Sequence, residues 1–103
     1  MRKLTITRKK AFAGAIIPYY CIVGVNKDTV DDNDTQYSIK NGETISVDVS
    51  EQKLCVVVAA NTSTGSVVMP PYLIEEGLDD ISLELVTKYH FIKGSSYELH
   101  RKL

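Results

Sequence analysis

The chain has no tryptophan, and its 103 residues hold two cysteines, three prolines and six glycines. Two cysteines are too few for the disulfide framework that holds many small secreted domains together. No apolar stretch reaches the ~18 residues of a membrane-crossing helix. Signatures of catalysis are missing too: there is no glycine-rich phosphate loop, Gly-x-Ser-x-Gly elbow, His-Glu-x-x-His or Cys-x-x-Cys. Neither sign of charge dominates, since 12 Lys and Arg face 13 Asp and Glu for a net charge of -1. What is present is ordinary: 44% hydrophobic and 24% charged residues, the proportions of a globular protein and not of a disordered one. A chain of this length builds one core, so residues 1–103 are read as a single domain.

The N-terminus can be read in two ways. Arg2, Lys3, Arg8, Lys9 and Lys10 precede a mostly apolar stretch from Ala11 to Val25, which has the charge and hydropathy order of an export signal. Against that, Leu4, Thr5, Ile6 and Thr7 alternate like a strand, Pro18-Tyr19-Tyr20 interrupts the apolar run, and no small-x-small site follows. A lipoprotein reading at Cys21 fails because Tyr20 is too bulky for the position before it. The expectation is therefore a cytoplasmic chain with export as the alternative, and no association with membranes.

The dominant hydrophobic period is two. Lys3 to Arg8 alternates, and Tyr19 to Val25 is continuously apolar, as suits a strand covered on both faces. Tyr37 to Lys40 is a short strand followed by Asn41-Gly42, a strong signal for a type I′ hairpin. Thr44 to Val49 places Ile45, Val47 and Val49 on one face. Leu54 to Ala60 is the most apolar segment and the best central strand. Ser66 to Met69 is stopped by Pro70-Pro71, Ile81 to Phe91 alternates again, and Gly94-Ser95 turns the chain into Tyr97 to Arg101. No helix is expected beyond a single turn within Ala11 to Ile17. Seven or eight short strands with regular turn signals predict an all-β fold, a small antiparallel sandwich, with a partly open barrel as the alternative.

Leu4-Thr5-Ile6-Thr7-Arg8-Lys9-Lys10 with Phe12 and Gly14, then Tyr19 to Val25, then Ile39-Lys40-Asn41-Gly42-Glu43 followed by Ile45, Val47, Val49 and Leu54 to Val58, resemble the small PEGA-like β-sandwich modules of Gram-positive bacterial proteins. The resemblance covers about the first two-thirds of the chain. Two departures stand out: the acidic loop from Asn26 to Gln36 replaces a short Asp-Gly hairpin, and the usual glycine before the Leu54 strand is absent. The resemblance implies a sandwich fold and a binding or scaffolding role, with no catalytic residues.

Candidate chemistry is sparse. Asp28, Asp31, Asp32 and Asp34 crowd one loop with oxygen ligands of the kind Ca²⁺ takes, but no EF-hand register fits, and a solvated turn is preferred. Cys21 and Cys55 are expected to be buried thiols and not a disulfide. His90 and His100 are placed on opposite faces by the Gly94-Ser95 turn, which leaves no shared metal. Glu75-Glu76 and Asp79-Asp80 flank Gly77 without signs of a desolvated pocket. Arg2, Lys3, Arg8, Lys9, Lys10, Arg101 and Lys102 could form one basic patch if the termini meet. Lysines on the first and last strands also protect sheet edges, and that reading is preferred to nucleic-acid binding.

The leading expectation is a non-enzymatic interaction or scaffolding module without cofactors, which binds a protein partner or a second copy of itself. Tyr37, Val67, Val68, Met69 and Tyr72 are its candidate contacts, because short proline-ended strands tend to be edges. The alternatives are a carbohydrate or other small ligand stacked on surface tyrosines, and an OB-like domain for single-stranded nucleic acid.

Overall fold

A computed structural model describes residues 1–11, 17–62, 65–90 and 94–102, with the backbone alone at 61, 62, 65–68, 89, 90, 94 and 95. These residues form nine strands: β1 (Arg2–Arg8), β2 (Tyr19–Val25), β3 (Thr35–Ile39), β4 (Thr44–Val49), β5 (Leu54–Thr62), β6 (Gly65–Val68), β7 (Tyr72–Ile74), β8 (Ile81–His90) and β9 (Gly94–Arg101). One sheet has the order β4-β1-β8-β9, and the other has the order β3-β2-β5-β6 with β7 also on β5. The pairings are antiparallel except that of β1 with β8, which is parallel. The fold is thus the expected small all-β sandwich. Its sheets are not joined into a barrel by any described strand pair.

Period-two patterning explains the core. Leu4 and Ile6 of β1, Leu83 and Leu85 of β8, and Leu99 of β9 point inward from the first sheet; Tyr19 and Cys21 of β2 and Leu54, Val56 and Val58 of β5 face them from the second. The continuously apolar strands β2 and β5 pair with each other through Tyr20 to Val25 and Ala59 to Leu54. The alternate residues of β5 leave the core: Cys55 and Val57 lie on the outer face of that sheet and are still buried. The loop after β2 covers part of that face, since a Cβ on Gly24 would lie 2.9 Å from the Lys27 side chain and 3.1 Å from the Thr29 carbonyl. A larger residue there would make the Lys27 side chain move and the loop carbonyl give by a few tenths of an ångström, so glycine suits that close approach.

Several expectations change. Asn41-Gly42 does not close a hairpin: β3 pairs with β2 and β4 with β1, so the turn carries the chain from one sheet to the other. The Glu43 N–H donates to the Lys40 carbonyl at 2.9 Å, and only Gly42, with φ 76°, has the positive φ. That is the pattern of a type II turn, whereas type I′ would need both central residues at positive φ. Gly94 and Ser95 belong to β9, paired with His90 and Tyr89, and so are not a turn. Strand β7 was not expected, because three residues are too few for a periodic signal. The helical turn considered for Ala11 to Ile17, together with Phe12 and Gly14, falls mainly on residues 12–16, outside the described residues.

The largest correction concerns β1. It lies between β4 and β8 and is not an edge, so its basic residues are not edge protection. Arg2 and Arg8 share the inward face of Leu4 and Ile6 and are 4% and 1% exposed. They therefore do not contribute to a surface patch.

Candidate functional site

The two inward arginines close the ends of the sandwich. Arg8 lies over the Tyr19 ring, 3.5 Å from its centroid, and donates to the carbonyls of Ile17 and Ile39, each at 2.9 Å. Tyr19 in turn stacks at a tilt on Tyr97, with centroids 4.6 Å apart, and its hydroxyl pairs with that of Thr87 at 3.0 Å. Burial pushes the Tyr97 hydroxyl up to about 12, reinforced by neighbouring Tyr19. Arg2 gathers three loop carbonyls at the opposite end: Ser50 at 3.1 Å, and Gln52 and Glu75 at 2.9 Å each. Both guanidiniums exchange water for carbonyl oxygens and make connections within the chain, which gives them structural roles.

The remaining basic residues do not converge. Lys3 sits beside Asp48 at 3.8 Å. Lys102, held to the Ser82 carbonyl at 2.8 Å, and Arg101 lie across β8 from Thr5 and Ile6, since Ser82 pairs with Thr5 and Leu83 with both Ile6 and Arg101. Lys9 and Lys10 follow the end of β1, about 20 Å from Lys3 at the rise of a strand and two strands over from Arg101.

The acidic loop is neutralised from within. Lys27 contacts Asp34 at 2.6 Å and Asp31 at 3.1 Å, and Lys53 pairs with Asp28. The Asp34 carboxylate holds the Lys27 ammonium above its ordinary range, and Asp28 does the same for Lys53. Asp31 accepts the Asn33 N–H at 2.8 Å, and this bond lowers its carboxyl below the usual value. Asp32 is exposed on the same loop. Among the described residues no three His, Cys, Asp or Glu side chains are grouped to hold a metal ion. The loop instead acts as a cover: the Cys55 thiol donates to the Asp28 carbonyl at 3.4 Å.

Cys21 and Cys55 are both free and buried. Cys21 faces the core and Cys55 the outer side of the same sheet, which excludes a bond between them. Burial pushes Cys21 up to about 12 and raises Cys55 as well, so neither is an activated thiolate. The observed register pairs His100 with Glu84 and His90 with Gly94. The two histidines therefore share a parity, contrary to the expected opposite faces, and are kept apart by six positions of β8, about 20 Å. His100 instead contacts Glu98 at 3.2 Å. Of the acidic pairs near Gly77, Asp80 accepts the Lys3 N–H at 2.8 Å, while Glu75 and Glu76 are exposed.

Among the described tyrosines none is fully exposed. Tyr19 and Tyr97 are in the core, and Tyr20, Tyr37 and Tyr72 are half-buried. The side chain of Tyr89 lies outside the description. Tyr37 and Tyr72, both candidate contacts, pack against the core from opposite sides of the second sheet, as does Met69. Strands β6 and β7, which contain Val67, Val68 and Tyr72, are indeed edge segments, but they are short and separated by Pro70-Pro71.

The more open side is that of β3 and β4, the edge strands joined by the 40–43 turn. A groove of about 160 Å³ opens there, lined by Met1, Val23, Val25, Thr35, Tyr37, Asp48, Val49 and Ser50. Beside it runs the free edge of β4. Arg8 donates its N–H to Glu43 at 2.9 Å, so the pairs in phase with it, Ile6–Ile45 and Leu4–Val47, are the hydrogen-bonded ones. By alternation the N–H and C=O groups of Thr44, Ser46 and Asp48 point away from β1 to the unpaired side. Native edges are commonly blunted by lysine, proline, a bulge or brevity. β6 and β7 are short and flank prolines, and β9 carries Glu98, His100 and Arg101. β4 has six residues, with no lysine, proline or glycine among them. Thr44, Ser46 and Asp48 were not among the expected contacts, although the lack of lysine, proline and glycine in 44–49 was a signal available in the sequence.

Among protein families, curated proteins and solved structures, no match to this chain is found. No described helix is long and apolar enough to cross a membrane.

Proposed function

We propose that this chain is a non-enzymatic protein-interaction module that accepts an extended segment of another chain along β4. One observation carries the reading: a regular edge strand without lysine, proline or glycine, whose outward backbone groups lie beside an apolar groove. Strand addition uses these two features together, with main-chain hydrogen bonds supplying affinity and a pocket for alternate side chains supplying selectivity. Of the expected contact residues, Tyr37 belongs to this groove, whereas the 67–72 segment lies on the far edge. The PEGA-like resemblance, with its implied binding or scaffolding role, points the same way.

The test is amide hydrogen exchange on the full chain at low micromolar concentration. Synthetic hexapeptides that alternate β-branched and hydroxyl residues serve as probes. The expected result is slowed exchange at Thr44, Ser46 and Asp48, with the amides of β9 unchanged. If no peptide slows these three amides, the reading is overturned.

A further inference from the structure

We infer that the segment paired along β4 is β4 of a second copy of this chain, related by a two-fold axis at Ser46. This rests on the strand-addition reading above and names its partner. In an antiparallel β4–β4 pair, residues with outward backbone groups must face one another. Only one symmetric register engages all of them on both copies. It sets Ser46 against Ser46 of the partner subunit, and Thr44 against Asp48 of the partner subunit.

The side chains agree with that register on both faces. On the solvent face the Asp48 carboxylate meets Thr44 of the partner subunit, a neutral side chain whose hydroxyl donates to Thr7 of its own chain, so no like charge opposes the carboxylate. The two aspartates stand four residues apart along the pair, about 13 Å, so they do not oppose each other. Shifting the strands to place Asp48 against Asp48 would bring like charges together and abandon most of the hydrogen bonds. On the core face Ile45 meets Val47 of the partner subunit. Both are only half-buried in the single chain, and a closely spaced non-hydrogen-bonded pair covers them. The net charge of -1 opposes the approach of two copies very little.

The product is one continuous sheet of twice the four strands β4-β1-β8-β9, in a closed dimer with no further free β4 edge. A seam of six residues per copy lies below the ~1,200 Å² of standard protein interfaces, so dissociation in the micromolar range is expected.

Sedimentation equilibrium of the full chain, from about 1 to 500 µM, reads this directly. The wild type should pass from monomer to dimer across that range. S46P removes an N–H that faces the free edge while leaving the β1 ladder intact, and should weaken association at least about tenfold. S46K places two ammonium groups across the axis and should do the same, with an unchanged circular dichroism spectrum. A wild type that stays monomeric at 500 µM overturns self-pairing, while the peptide experiment still decides strand addition separately. A dimer that S46P and S46K leave at wild-type affinity overturns β4 as the seam.

Discussion

Arg2 and Arg8 sit on one face of one strand, six residues apart, and are buried by different means. Arg8 is enclosed by an aromatic face and two carbonyls, that of Ile17 just before β2 and that of Ile39 ending β3, and the Tyr19 ring below it meets Tyr97 and Thr87 of the other sheet. Arg2 is enclosed by the carbonyls of two loops, those following β4 and β7. The same residue type thus ties sheet to sheet at one end and loop to loop at the other. A buried guanidinium is tolerated where fixed dipoles replace its water, and the loss on removing it scales with what those dipoles then lack.

The largest expected effect separates the two ends. Arg8→Ala empties the space over Tyr19 and leaves the Ile17 and Ile39 carbonyls without this donor, which should cost about 3–5 kcal/mol in urea unfolding. Arg8→Lys tests whether charge alone suffices. An ammonium on a flexible stem does not offer the planar fork that serves two carbonyls while lying over a ring, so most of the loss should remain. If Arg8→Lys is as stable as wild type, the role assigned to the guanidinium plane is wrong.

Arg2→Ala should cost less, about 2 kcal/mol, because the freed Ser50, Gln52 and Glu75 carbonyls lie near enough to the surface to recruit water. Its consequence should be local. Amide exchange should quicken at Gly77, whose N–H donates to Glu51 at 2.9 Å, and leave β2 and β5 protected. Loss of protection throughout both sheets would remove the distinction between a loop clamp and a core support.

Alkaline titration sharpens the same contrast with a smaller effect near pH 10. Tyr97 and Cys21 belong to the core beside Arg8, and both are raised to about 12 from the ordinary 10.0 and 9.0. A raised folded pKa means that the native state holds its proton after the unfolded chain has released it. Their contribution is therefore complete below pH 9 and declines as pH rises from 9 toward 12. Unfolding midpoints should be flat below pH 9 and fall above it. Tyr97→Phe should remove the part of the decline that begins near pH 10, and an unaltered slope would place the titrating group elsewhere.

Both arginines were partly legible. Periodicity placed Leu4 and Ile6 inward, and Arg2 and Arg8 have the same parity, so the pattern already contained their direction. Reading each arginine by its charge moved it to the surface, because desolvation cost is judged residue by residue while its compensation comes from carbonyls remote in sequence. The strands β2 and β4 were read at their observed bounds, since apolar runs and β-branched alternation are local signals. Which strands pair is not local, so the inter-sheet step after β3 and the parallel β1–β8 contact were invisible. For the candidate site, Tyr37 was named from the sequence and lines the groove, but the β4 edge emerged only once β1 was seen to occupy the interior.

The 40–43 turn shows where local chemistry stops. Asn41-Gly42 correctly marks a reversal, and Gly42 does take the left-handed conformation, φ 76°. The dipeptide does not determine whether the strands on either side share a sheet, because a type II turn also satisfies it with glycine at the second central position. Gly42→Ala should therefore cost only about 1 kcal/mol of left-handed strain, since the added Cβ meets nothing nearer than the Lys10 side chain at 3.4 Å. Asn41→Ala should be milder still, because Asn41 needs no positive φ and loses one bond, from the Ala11 N–H to its Oδ1 at 3.0 Å. Thermal unfolding of the two variants orders them. Were Asn41→Ala the more damaging, the turn would be held by that side chain and not by the glycine backbone, and the Arg8 end would depend on residue 11 as well as on its aromatic stack.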